Sequence, residues 1–127
     1  MDLQRYDVVK AKIKYIDNGS VQSKIRPYVI VSNPIGTKCS TIITVMPLTS
    51  KIKKTNMPVH GCLEANGDNG LQLYSMTMGE QIITISKTEV IEKLGTVTGI
   101  ENRKMVDRTC FNGLFFGTGY KLEEARA

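Results

Sequence analysis

The sequence predicts a mainly β fold: a small barrel-like sheet that carries α-helices at its C-terminal end. Two observations support this. Short runs rich in β-branched residues alternate with turn residues as far as residue 85, and helix-capping patterns first occur at Ser86. A chain of 127 residues, 41% of them hydrophobic, is long enough for one such core. We therefore expect residues 1–127 to form a single domain.

The first two strands flank a polar loop. Apolar and polar side chains alternate over residues 8–16, which predicts a strand with one buried face. Residues 17–24 contain an Asn-Gly pair and are predicted to form a loop. The run "PYVIVS" at 27–32 has no polar alternation, which predicts a strand buried on both faces. Arg26 is therefore expected at the beginning of this second strand.

Turn residues divide the next part of the chain into further short strands. "NPIGTKCS" should turn the chain, and Pro47 should end the next strand, because proline has no N–H for a ladder. Thr49 then lies just beyond that strand. Further strands are expected at residues 41–46 and 57–63, and a longer strand at 71–78 is expected to run into residues 79–85.

Two capping boxes predict two helices. "SKTE" pairs Ser86 with Glu89 and predicts a helix that ends near Leu94. "TGIE", from Thr98 to Glu101, predicts a longer helix through residues 102–116. An inward-facing apolar stripe on the longer helix is expected from Ile100, Met105, Val106, Cys110 and Leu114.

Charge and cysteine content narrow the function classes. A formal net charge of +5 and a pI near 9.2 favour a polyanionic partner, although 12 acidic residues lie among the 17 basic ones. Three cysteines with no zinc-type spacing indicate reduced thiols, with no metal and no other cofactor expected. No apolar stretch has the length of a signal peptide or a membrane span, so we expect a cytoplasmic protein.

Three separated blocks carry a family resemblance: "GSVQSKIRPYVIVSN", "PLTSKIKK" followed closely by "PVH", and "MGEQIITISK". In their order and spacing, over roughly residues 6–97, the chain resembles MazF/PemK-type toxins of type II toxin-antitoxin systems. The resemblance implies an SH3-like barrel of the CcdB/MazF type, a homodimer, and a cognate antitoxin that blocks the site. It also implies sequence-specific, metal-independent cleavage of single-stranded RNA, chiefly mRNA, which inhibits translation and growth.

The resemblance implies that Arg26 and Thr49 are catalytic. Around them we expect RNA-binding residues from the matching blocks and the polar or basic residues beside them: Gly19, Ser20, Gln22, Ser50, Lys51, Lys53, Lys54, Glu80 and Gln81. Two positions depart from the family pattern. Val21 stands where many members have Glu, and Ile83 stands where many have Arg.

The chemistry fits these residue types. RNA supplies its own nucleophile, the 2′-hydroxyl, so the enzyme must align it and stabilise the phosphoryl charge. The guanidinium of Arg26 can donate two parallel hydrogen bonds to phosphate oxygens, and the hydroxyl of Thr49 can donate one. The alternatives are that Arg26 pairs with a carboxylate at the sheet edge and that Thr49 bonds its own backbone in a turn.

Proton transfer has no obvious carrier in the sequence. His60 is expected on a strand surface rather than in catalysis. Glu80 is the best remaining carboxylate, against a structural role in which it bonds loop amides.

Two other functions remain open. A CcdB-like toxin on the same barrel would bind DNA gyrase without cleaving RNA, and an SH3-like module would bind proline-rich peptides through an aromatic groove. The chain is poor in the aromatics that such a groove needs, with no Trp.

Overall fold

A computed structural model describes residues 1–17 and 20–121, without the side chains of residues 14–17 and 20–24. The described residues form a mostly β structure with a long C-terminal helix, as predicted. The strands are β1 Asp7–Asp17, β2 Ser20–Ile30, β3 Ile42–Thr49, β4 His60–Leu63, β5 Ser75–Met78, β6 Ile83–Ser86 and β7 Val90–Thr96. The helices are α1 Pro34–Cys39, α2 Ile100–Phe115 and the 3-10 helices Gly79–Gln81 and Lys87–Glu89.

The strands form an antiparallel sheet in the order β4-β5-β3-β2-β1-β7, and β6 pairs with β3 as well. Two apolar clusters fill the fold. The first lies between β1, β2, β3 and β6, and the second includes Met105 and Val106 of α2. The alternation predicted for the first strand is confirmed over residues 9–13, where Val9, Ala11 and Ile13 are buried and Lys12 is exposed, whereas Val8 is buried in the second cluster. The buried second strand is confirmed at residues 28–31.

Strand β3 changes partners at Pro47, and this explains why the prediction that Pro47 ends the strand was wrong. Tyr28 of β2 pairs with Pro47, whereas Leu48 pairs with Thr77 of β5. Pro47 is therefore the last residue of β3 that pairs with β2, and β3 continues to Thr49 in pairing with β5.

The polar loop predicted at residues 17–24 is shorter than expected, because β1 runs to Asp17 and β2 begins at Ser20. As a result, Arg26 lies within β2, opposite Ala11, rather than at a strand end. The predicted turn at 33–40 contains α1, whose first turn is capped by the side chain of Asn33. Strands β4 and β5 are both shorter than the apolar runs that predicted them.

The helix predicted from Ser86 to Leu94 is wrong. Its capping box is present, since the backbone of Ser86 donates to Glu89, but it caps only the 3-10 helix Lys87–Glu89. The chain then continues as β7, which pairs with β1 and buries Val90 in the first cluster. Tertiary pairing of β-branched residues outweighs the local helix signal here.

The second predicted helix is confirmed as α2, but its expected capping box is absent. Gly99 is the N-cap residue, without a side-chain capping bond. Of the predicted stripe, Met105 and Val106 are buried and Cys110 packs beside them. Ile100 and Leu114 are 69% and 67% exposed, so their assignment to the buried face was wrong. None of the helices within residues 1–17 and 20–121 is long and apolar enough to span a membrane.

Candidate active site

A groove of about 1300 Å³ opens between β2, the end of β3 and the loops beside them. We call it the Arg26 groove. Eight of the eleven predicted site residues line it: Arg26, Thr49, Ser50, Lys51, Lys53, Lys54, Glu80 and Gln81. Gly19 lies outside the described residues, and Ser20 and Gln22 belong to β2 with side chains that the structure does not describe. The groove thus gathers three sequence blocks that are far apart in the chain.

Arg26 of β2 and Thr49 at the end of β3 both line the groove. The ladder of these two strands pairs Ile30 with Val45 and Tyr28 with Pro47. This ladder ends at Tyr28 and Pro47, and beyond it Arg26 pairs with Ala11 of β1 while Thr49 pairs with Met76 of β5. Both residues line the groove, whereas Tyr28, two residues after Arg26, is buried in the first apolar cluster. The fold therefore brings Arg26 and Thr49 to one groove, although they belong to different strands.

Arg26 is half-buried, and Pro27 restricts the backbone that follows it. Among the side chains that the structure describes, no carboxylate forms an ion pair with Arg26. The alternative of a structural ion pair at the sheet edge therefore has no support in this part of the chain.

Thr49 ends β3 and makes the turn contact that was considered as the alternative to a functional role. Its Oγ1 accepts a hydrogen bond from the backbone N–H of Lys51 at 3.1 Å. This contact uses a lone pair of the hydroxyl and not its hydrogen. The turn therefore fixes the oxygen while leaving the hydroxyl able to donate, so the structural and the functional roles are compatible.

Residues 50–56, which we call the basic segment, follow Thr49 along the rim of the groove. Lys51, Lys53 and Lys54 are all exposed. The backbone of Lys54 is left-handed, with φ of 51°. The segment therefore carries three ammonium groups beside the groove while one backbone carbonyl, that of Lys54, points back toward the protein and His60.

His60 was expected on a strand surface and is instead buried, with 9% of its surface exposed. Its Nδ1 lies 2.9 Å from the carbonyl oxygen of Lys54, and its Nε2 lies 2.7 Å from Oε2 of Glu80. Burial by itself would lower the pKa of His60, but the contacts with the Lys54 carbonyl and the Glu80 carboxylate outweigh it and raise the pKa above its ordinary value. The sequence gives no local signal for this pair, because its partners are 20 residues apart.

Helix α2 supports the back of the groove. The side chain of Asn112 donates to the carbonyl oxygen of Pro58 at 2.9 Å, which ties the helix to the chain beyond the basic segment. Gly113 packs so closely on the 3-10 helix that carries Glu80 that an added Cβ would lie 2.0 Å from the carbonyl oxygen of Gly79. The helix thus fixes two elements that border the groove.

The other walls of the groove were not predicted. Lys10 and Glu92 form an ion pair of 3.1 Å at one side, and Ile25 and Leu73 expose 56% and 62% of their surfaces. Tyr28, which follows Arg26 and Pro27 in β2, is only 1% exposed. The described walls therefore offer aliphatic rather than aromatic surface to a base.

A family model described as "PemK-like, MazF-like toxin of type II toxin-antitoxin system" matches residues 4–108. The chain belongs to this family. A curated relative in it, Endoribonuclease MazF of Staphylococcus saprophyticus subsp. saprophyticus, is 35% identical over 103 residues, which cover 81% of this chain and 82% of the relative. The predicted MazF/PemK family, and with it the class of endoribonuclease toxins, is confirmed.

Solved structures agree in fold. An endoribonuclease in complex with its cognate antitoxin, from a mycobacterial species, matches with a TM-score of 0.69 and 20% identity over 90% of this chain and 96% of that one. MazF from Deinococcus radiodurans (Form-I) matches with a TM-score of 0.69 and 15% identity over 94% and 99%. These likenesses confirm the MazF-type barrel.

Proposed function

We propose that this protein is the toxin of a type II toxin-antitoxin system and acts in the cytoplasm, cutting single-stranded RNA, chiefly mRNA, at specific sequences. Cleavage needs no metal and blocks translation and growth. The observation that carries the proposal is the groove that Arg26 and Thr49 line together, beside Lys51, Lys53 and Lys54.

The reaction is a transesterification within the RNA. The 2′-oxygen attacks the adjacent phosphorus, the bond to the 5′-oxygen breaks, and a 2′,3′-cyclic phosphate and a 5′-hydroxyl result. One proton leaves the 2′-hydroxyl and one reaches the departing oxygen. Arg26 donates two hydrogen bonds to the non-bridging oxygens and Thr49 donates another, where negative charge develops in the transition state.

RNA recognition combines charge with shape. Lys51, Lys53 and Lys54 attract the phosphates without regard to sequence. Base selection falls to polar groups along the groove, among them Ser50, Glu80 and Gln81, and to the predicted contacts of Gly19, Ser20 and Gln22.

The partners are a second copy of the chain and a cognate antitoxin. Homodimerisation is supported by exposed apolar residues at and just after the end of α2. Leu114, Phe116 and Tyr120 expose 67%, 69% and 67% of their surfaces. Neutralisation by an antitoxin that covers the Arg26 groove is supported by family membership, since the matching family consists of toxins of type II systems.

Incubation of the purified protein with a long RNA in EDTA tests the proposal. We expect discrete fragments with 5′-hydroxyl ends, from wild type and from the Glu64→Gln control, whose exposed carboxylate does not line the groove. Intact RNA together with binding to DNA gyrase would instead support the CcdB-like alternative, which family membership does not favour.

A further inference from the structure

The contact between His60 and Glu80 restricts where protons lie. Both partners of the His60 ring are acceptors when Glu80 is ionised: the Lys54 carbonyl at Nδ1 and a carboxylate oxygen at Nε2. A neutral imidazole has one N–H and can donate to only one of them, whereas an imidazolium donates to both. The observed geometry therefore fits the imidazolium with the carboxylate.

The ring connects two borders of the Arg26 groove. Lys54 belongs to the basic segment, and Glu80 belongs to the 3-10 helix that packs against α2. His60 itself is buried at the beginning of β4, so the sheet holds the ring in place. The ring of His60 thus joins a lysine-bearing loop to the 3-10 helix that packs against α2.

We propose that His60, as an imidazolium, is a positioning residue of the RNA-cleaving site, which holds the basic segment and Glu80 at a fixed separation. This inference rests on the proposed function. The charged groups nearest the ring are Glu80 and Lys54, and Arg26, Lys51 and Lys53 line the same groove. His60 acts through these neighbours and touches no reacting atom.

The sign of the pH effect follows from the raised pKa of His60. A folded-state pKa above the unfolded value means that the stabilising link is complete at pH below the unfolded value. It is lost as pH rises through the folded value. At a pH above the folded-state pKa, the neutral ring can donate to the Lys54 carbonyl or to the Glu80 carboxylate, but not to both. The basic segment then loses its connection to Glu80. Cleavage should therefore decline as pH rises through the pKa of His60.

The test uses the only histidine in the chain, whose ring signals in an NMR spectrum need no assignment. The pKa of His60 is measured in wild type, Glu80→Gln and the control Glu64→Gln, and kcat/KM for a defined RNA is measured across the same pH range. The Glu80→Gln substitution keeps the shape of the partner but removes its charge, so the pKa of His60 should fall toward its ordinary value. The inflection in kcat/KM should move to lower pH with it, while Glu64→Gln changes neither.

His60→Gln provides a second variant, because an amide cannot supply charged donors to both partners. We expect it to lose the inflection and to cleave about tenfold to 100-fold more slowly at low pH. An inflection that stays in place in Glu80→Gln, or that survives in His60→Gln, would overturn the inference while leaving the proposed function intact. A wild-type protein that leaves RNA uncut at every pH would overturn both.

Discussion

Arg26 is one of the two proposed catalytic residues, with Thr49. Replacing Arg26 by Lys keeps the charge but removes the planar pair of donors, so we expect RNA cleavage to slow by roughly 10² to 10³. Single-turnover rates and RNA binding should be measured together. Binding should weaken far less than cleavage, because the lost hydrogen bonds strengthen in the transition state. Equal losses in both would indicate that Arg26 merely binds RNA.

Thr49 allows a matched comparison. Thr49→Val removes the hydroxyl at nearly constant shape and should slow cleavage by roughly 10² to 10³, whereas Thr49→Ser keeps both the hydroxyl and the acceptor for the Lys51 amide. We expect the serine variant to stay within about tenfold of wild type by the same measure. A valine variant as active as the serine variant would assign Thr49 to the turn alone.

At this scale, the sequence predicts residues that lie in recognisable blocks, and misses residues whose surroundings depend on contacts between distant parts of the chain. Arg26 and Thr49 fall in recognisable blocks beside strands. His60 was misplaced because its burial depends on Glu80 and on the Lys54 carbonyl, neither of which is a sequence neighbour. No periodicity or spacing encodes a contact of that kind.

Among the elements, α2 packs closely against the 3-10 helix that contributes Glu80 to the groove. An alanine Cβ at position 113 would lie 2.0 Å from a backbone carbonyl oxygen, so the helix would have to move away from the 3-10 helix that carries Glu80. We expect Gly113→Ala to cost about 1 to 3 kcal/mol in the free energy of unfolding, measured by urea denaturation.

Gly67→Ala is the control for that substitution, because nothing lies within 4 Å of a Cβ added there. It should leave the urea midpoint near wild type. If Gly113→Ala is equally stable, the close packing of α2 on Gly79 does not contribute to stability.

Strands were predicted correctly where a single hydrophobic pattern covered the whole segment. The alternation of β1 and the apolar run of β2 gave both strands their correct faces. The capping box at Ser86 was real, but one hydrogen-bonded turn is too short to decide between a helix and a strand when β1 offers a partner. The change of partner at Pro47 depends on β5, a strand that begins only at Ser75, far along the chain.

For the whole molecule, charge should govern RNA affinity. Each phosphate neutralised on a single strand contributes a slope of about −0.7 to log K against log salt. Alanine at Lys51, Lys53 and Lys54 should make the slope less steep, because these ammonium groups rim the groove. Titration of a 2′-deoxy-substituted RNA at several salt concentrations measures it. An unchanged slope would indicate that the basic segment does not contact RNA phosphates.

A charge-matched control carries alanine in place of three exposed basic residues that do not line the groove: Lys38, Lys104 and Arg108. This variant loses the same net charge, so it should keep the wild-type slope if only local phosphate contacts matter.

The assembly is also a property of the whole molecule. Exposed apolar residues at the end of α2 and the proposed pairing of barrels predict a homodimer at micromolar concentration. Sedimentation velocity measures this directly. Phe116→Ser and Leu114→Ser together should shift the population toward monomer if this surface is the interface, whereas a monomeric wild type would contradict the predicted homodimer.

Cleavage by the RNA's own 2′-hydroxyl, directed by Arg26 and Thr49, is the central claim, and one measurement tests it most directly. The wild-type protein is incubated in EDTA with a defined RNA and with the same strand carrying a single 2′-deoxy nucleotide at the mapped cut. We predict that the all-ribose strand is cut to give a 2′,3′-cyclic phosphate and that the substituted strand stays intact at that position. Cutting of the 2′-deoxy strand at the same bond would contradict the mechanism.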